Sequence, residues 1–157
     1  MEFEPTETAM SATQDIAASL LRIYTLFQAI GYISPDDIIL PPHDETNIDV
    51  ALCRSVGMDH ATIEFLMVIP WATAGSGDFI KDSEIIGFSN EYCIRQSRHF
   101  CDSSISGDAA GTPKEVDGSL VSLTMRGQQG RSLVVGTSRG KSSPLPIPTF
   151  VRVGKLY

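Results

Sequence analysis

The hydrophobic period of this chain changes once, near Trp71, and that change limits the fold more than any other feature. Before it, apolar residues return every three or four positions; after it, they come in short runs broken by Gly, Pro and Ser. A period near 3.6 buries one side of a helix, whereas short punctuated runs suit strands. A chain that starts helical and finishes extended favours α+β: N-terminal helices packed on a mainly antiparallel C-terminal sheet.

The helical half divides into three predicted elements. Ser11 and Gln14 have capping-box spacing, and Ile16, Leu20, Ile23, Phe27 and Ile30 then share one face until Gly31 ends the helix. Residues 1–10 read as a flexible leader ahead of a single domain over 11–157. Pro41 and Pro42 forbid helix and hold Leu40 extended. A second helix is expected from Thr46 or Asn47, burying Ile48, Ala51, Leu52 and Val56 and stopping at Gly57. A third, capped by Asp59, buries Ile63, Leu66 and Met67 before Pro70. Both are short enough that only tertiary packing can hold them.

Beyond Trp71, ATAGSGD reads as a loop, and residues 79–80 and 84–88 as short strands. The polar stretch 97–118 is expected to be a long mobile loop. Residues 119–126 and 131–138 flank GQQG as a β-hairpin, with Arg126 opposite a Val121, Leu123 and Met125 face and one side of the sheet wet. A last extended segment is placed at 149–153.

Composition bounds the function. Hydrophobic residues make up 42% and charged residues 20% of the 157, which is ordinary for a globular domain and excludes global disorder. Charge is divided: no Asp or Glu occurs from Ser119 onward, where six Arg and Lys lie. The first 118 residues hold all 19 acids and net −13, so the chain nets −7. That balance argues against nucleic acid, whose binding relies on phosphate neutralisation. The start MEFEPTETAM lacks a basic, apolar signal, and Ser19, Arg22, Thr25 and Gln28 interrupt the apolar stretch 16–33, so no membrane segment is expected. Three scattered cysteines suit reduced thiols and a cytoplasmic or nuclear location.

No catalytic signature stands out. GTSRGKSS (136–143) follows a strand and ends in Gly-Lys-Ser, but only three residues separate its glycines, and Pro144, Pro146 and Pro148 preclude the helix a phosphate loop needs. Cys93, His99 and Cys101 could donate to zinc or form a Cys–His nucleophile, yet their spacing lacks the paired C-x2–4-C form and no flanking motif supports catalysis. No metal or cofactor is therefore assigned. Asp36-Asp37 and Asp44-Glu45 are better explained as helix-capping acids than as metal ligands. Trp71, Tyr92 and Phe100 could line a groove, though core packing is the simpler role.

Three stretches resemble a known group: LLRIYTLFQAIGYISPDDIILPPH, ALCRSVGMDHATIEFLMVIPW and EYCIRQSRHF. They are similar to a set of small uncharacterised proteins of filamentous fungi with no assigned activity. There an N-terminal helix leads to a Gly-Tyr-Ile turn and a Pro-Pro-His element; a short helix ending near Ile-Pro, a Ser-Arg dipeptide and a closing hairpin follow. Gly87-Phe88 stands here where that group often has Asp-Tyr. The resemblance implies a shared surface at Gly31-Tyr32, Pro41-Pro42-His43 and Ser97-Arg98. The layout also resembles SMI1/KNR4-like domains, whose helices precede a protein-binding sheet.

Two readings follow. In the first, the chain is a non-enzymatic intracellular interaction module that presents the Pro-Pro-His turn and the 90–118 loop to a protein partner. Charge reversal at Arg98 or Arg139 should then weaken a complex without lowering the melting temperature. In the alternative it is a small enzyme or ligand-binding accessory protein of fungal specialised metabolism, its small molecule held between helices and sheet by Trp71, Tyr92, His99 and Cys101. The candidate residues are Tyr32, Pro42, His43, Trp71, Tyr92, Arg98, His99, Cys101 and Arg139.

Overall fold

Why the first helix stops where it does follows from one residue. Gly31 adopts φ +72°, a left-handed conformation that lets Gly31 and Tyr32 donate their N–H groups back to the carbonyls of Gln28 and Phe27, at 2.9 and 2.8 Å. The computed structural model describes residues 7–73, 75–80, 83–98, 118–126 and 133–137. Helix α1 runs Glu7–Ala29, so it begins four residues before Ser11, inside the expected leader. Leu20 and Tyr24 are buried, with Ile16, Ile23 and Phe27 half-buried beside them. Ile30 does not join this face: it lies past the last helical residue and is 68% exposed.

A 3₁₀ turn at Pro35–Asp37, capped by Ser34, leads into β1 (Ile38–Ile39). Helix α2 is shorter than expected, Val50–Ser55, because Asp49 rather than Thr46 or Asn47 caps it through Leu52 N–H. Asp44 instead closes the preceding turn, its Oδ1 accepting from the Thr46 N–H at 2.9 Å. Ile48 is buried ahead of the helix and Cys53 within it, while Ala51 is exposed. Helix α3 (His60–Val68) has the expected Asp59 cap, accepting from Thr62 N–H at 2.8 Å. Thr62, Ile63, Phe65 and Leu66 are all buried, so α3 is covered on more than one side.

The sheets are small and antiparallel. Strand β1 pairs with β2 (Trp71–Ala72), Ile38 opposite Ala72 and Ile39 opposite Trp71. Strands β3 (Asp78–Ile80) and β4 (Ser83–Ile85) form a hairpin. Helix α4 (Glu91–Gln96) has no counterpart in the hydrophobic periodicity; its signal is Asn90, whose side chain caps it by accepting from Tyr92 and Cys93 N–H. Strand β5 (Leu120–Ser122) pairs with β7 (Val134–Gly136) as the expected hairpin, Val121 opposite Val135. Strand β6 (Thr124–Arg126), however, leaves that hairpin and pairs with β4. Leu123 joins the two sheets: its N–H donates to Leu133 O at 2.8 Å and its carbonyl accepts from Ile86 N–H at 3.2 Å. The wet face expected for this segment is also corrected, since Ser122 and Thr124 are buried beside Val121 and Leu123. Their hydroxyls replace water: Ser122 donates to Thr124 O at 2.7 Å, and Thr124 accepts from Leu133 N–H at 2.9 Å.

The result is an α+β fold around one apolar core. Leu20, Tyr24, Ile48, Leu66, Trp71, Phe88, Ile94 and Val121 all contribute to it. Burying a large apolar side chain stabilises a fold by about 1.5–3 kcal/mol, which is how helices as short as α2 and α4 persist. No helix among the described residues is long and apolar enough to cross a membrane.

Candidate functional site

His43 and Trp71 are brought together, in the interior. Trp71 sits in β2, which the β1 pairing holds, and His43 follows the cis Pro41–Pro42 bond. Their rings stack with centroids 3.6 Å apart and planes 22° from parallel; Phe88 packs against Trp71 at 5.5 Å. The end of α3 supplies two anchors: His43 N–H donates to Met67 O at 3.0 Å, and Nε2 lies 2.8 Å from Ile69 O. A carbonyl can only accept, so Nε2 carries a proton, and when the ring is neutral Nδ1 is its bare nitrogen. Burial lowers the His43 pKa, more than the Ile69 hydrogen bond and the Asp44 carboxylate raise it. Nδ1 and the Trp71 indole N–H are buried without a hydrogen-bond partner among the described residues.

Arg98 is part of the frame rather than of a free surface. It follows the Ser97 cap of α4 and is 7% exposed. Nε donates to Val56 O at 3.2 Å, Nη2 to Gly57 O at 3.3 Å, and Nη1 to Leu120 O. Val56 and Gly57 end α2, where carbonyls point outward and carry the negative end of the helix dipole. One guanidinium therefore ties α2, α4 and β5 together. The expectation that charge reversal here leaves stability untouched is corrected, because a carboxylate at this position would face backbone carbonyls.

The remaining expected residues separate. Tyr32 is half-exposed and well fixed: its hydroxyl accepts from Asp78 N–H at 3.0 Å and donates to Asp78 O at 3.1 Å. Its ring packs edge-on against Phe27 at 5.2 Å, and Phe27 against Phe79 at 6.1 Å. Gly77, at φ +143°, makes this possible, since a Cβ there would lie 3.1 Å from the Tyr32 ring. Pro42 is exposed beside the buried His43, and Tyr92 is exposed on α4 while Trp71 is in the core. His99, Cys101 and Arg139 lie outside the described residues, as do most of the 97–118 stretch and 138–143 of the glycine-rich turn. Cys53 and Cys93 are buried free thiols; burial, helped by the Asp49 carboxylate, pushes Cys53 up to about 11, and burial raises Cys93 as well. Low thiolate content makes both poor nucleophiles. Among the described residues, no group of three or more His, Cys, Asp or Glu could hold a metal ion.

Sequence reasoning missed the apolar exposure at the end of α1. Leu26 is 59% exposed and Ile30 68%, linked by the Ile30 N–H donating to Leu26 O at 3.1 Å, with Tyr32 beyond them at 47%. The signal was present: Leu26 is out of phase with the Leu20, Ile23 and Phe27 stripe, and Ile30 sits against the Gly31 stop. No family model matches the chain, and no match was found among curated proteins or solved structures.

Proposed function

We propose that this chain is a non-enzymatic protein-interaction module of the cytoplasm or nucleus, and that its partner packs on the end of α1. The observation that carries the reading is the exposure of Leu26 on the last turn of α1 and of Ile30 and Tyr32 in the turn that follows it. Large apolar side chains at the end of a rigid helix suit a partner's apolar anchor, because little entropy is lost when they are covered. Among the described residues, three side chains that could do chemistry are engaged elsewhere or held inert. His43 and Arg98 bind backbone carbonyls in the interior, and Cys53 is held as a thiol.

The test places a photo-crosslinking amino acid at Ile30 or, as control, at exposed Glu64, in a filamentous-fungal lysate. The reading expects one saturable product from position 30 and none from 64. Covering a Leu or Ile is worth about 1.5–3 kcal/mol, so Leu26→Asp with Ile30→Asp should weaken a purified complex at least 10²-fold and leave unfolding nearly unchanged. Equal crosslinking at both positions, or full binding by the double variant, would overturn it.

A further inference from the structure

The stacked histidine does more than fill space. Its surroundings are the Trp71 ring from β2, with Phe88 behind it, and the carbonyls of Met67 and Ile69 at the end of α3. These groups do not titrate. Among the described residues the charge acting on the ring is the Asp44 carboxylate, next in the chain, and Asp44 Oδ1 is already taken by the Thr46 N–H and hydroxyl. A second proton on His43 would go to Nδ1, where no described group accepts it. The charge would then be buried with an unsatisfied donor, and attraction to the Trp71 face recovers only part of that.

The flanks make the response local. Upstream, β1 pairs with β2, and Asp37 O accepts from Thr73 N–H at 2.7 Å. Downstream, the Asp44 turn is closed by Ile48 N–H donating to Asp44 O at 3.2 Å, and Ile48 is buried. Between these fixed points only residues 40–43 depend on the His43 contacts to α3, and Leu40 and Pro42 are already exposed.

We propose that His43 is an acid-operated latch: protonation at Nδ1 expels the ring from its stack on Trp71 and frees residues 40–43 from α3, while the rest of the fold stays assembled. In the expelled position the imidazolium lies in water, beside the exposed Asp44 carboxylate. The direction of the pH dependence follows from burial. The closed ring holds a proton less tightly than a free imidazole at about 6.5. The latch is therefore fully closed above that pH and weakens as pH falls, by up to about tenfold per unit, until the closed-state value is reached. This stands apart from the interaction reading and does not need a partner.

Trp71 is the single tryptophan, so its emission reports the stack directly. The experiment follows Trp71 fluorescence, helical circular dichroism and the His43 ring nitrogens by NMR from pH 8 to pH 5, in the unaltered chain, His43→Gln and His43→Phe. Expected are an Nε2–H tautomer at pH 8, a His43 midpoint below 6.5, and an emission change with the same midpoint that both variants lack. The proposal is overturned by a midpoint at or above 6.5, by emission that ignores His43 protonation, or by helical signal lost at the same midpoint. The NMR titration of the unaltered chain decides the matter even if a variant fails to fold.

Discussion

Truncating Arg98 to alanine should unfold this protein more readily than any exposed substitution. The side chain donates to the carbonyls of Val56, Gly57 and Leu120 while 7% exposed. A hydrogen bond from a charged donor contributes about 1.5–3 kcal/mol net, so three give a ceiling of about 4.5–9 kcal/mol. Bonds sharing one donor are not additive, and truncation admits some water to the orphaned carbonyls, which brings the expected loss to about 3–5 kcal/mol. That is a large share of the roughly 5–15 kcal/mol that holds a domain together. At about 2–4 °C per kcal/mol for a chain of this size, the midpoint should fall by about 6–20 °C. Arg98→Lys keeps the charge but not the planar fork, and cannot serve three carbonyls on two elements; about half the loss should remain. Urea unfolding followed by Trp71 emission reads both variants, with an unchanged denaturant slope as the check that the same transition is measured. A loss under about 1 kcal/mol for alanine, or a lysine variant as stable as arginine, would refute the clamp.

Two further outcomes are expected. Gly118→Ala should destabilise by about 1–3 kcal/mol in the same urea assay, because the new Cβ would lie 2.7 Å from Gly57 O; a neutral result would mean that the contact between Gly118 and the Gly57–Asp59 turn yields freely. In a Cys101→Ser background, a disulfide reagent at pH 8 should label neither Cys53 nor Cys93 until urea exposes them, since both are buried with raised pKa values; fast labelling of either in the folded protein would contradict their place in the core.

The residues themselves, without tertiary context, determined the features whose causes lie within a few positions. The α1 stripe and its Gly31 stop, the Asp59 cap, the α+β order and the Val121–Val135 hairpin belong here. Each is a matter of helical period, of a side chain reaching an amide three residues on, or of two strand-forming segments near each other in the chain. Tertiary structure decided the rest. Two-residue β1 and β2 are too short to show a period, and they exist because chain segments some thirty residues apart meet. Thr124–Arg126 reads as a continuation of its hairpin, yet β4 takes it, because edge hydrogen bonds go to whichever strand the core presents. His43, Arg98 and Ile30 show the same limit at the level of single side chains. A histidine after two prolines looks like a surface residue, an arginine in a polar stretch does not announce the three carbonyls it binds, and an isoleucine in phase with a helix looks like core. Burial is set by what packs against a residue from elsewhere in the chain, and no local pattern encodes that.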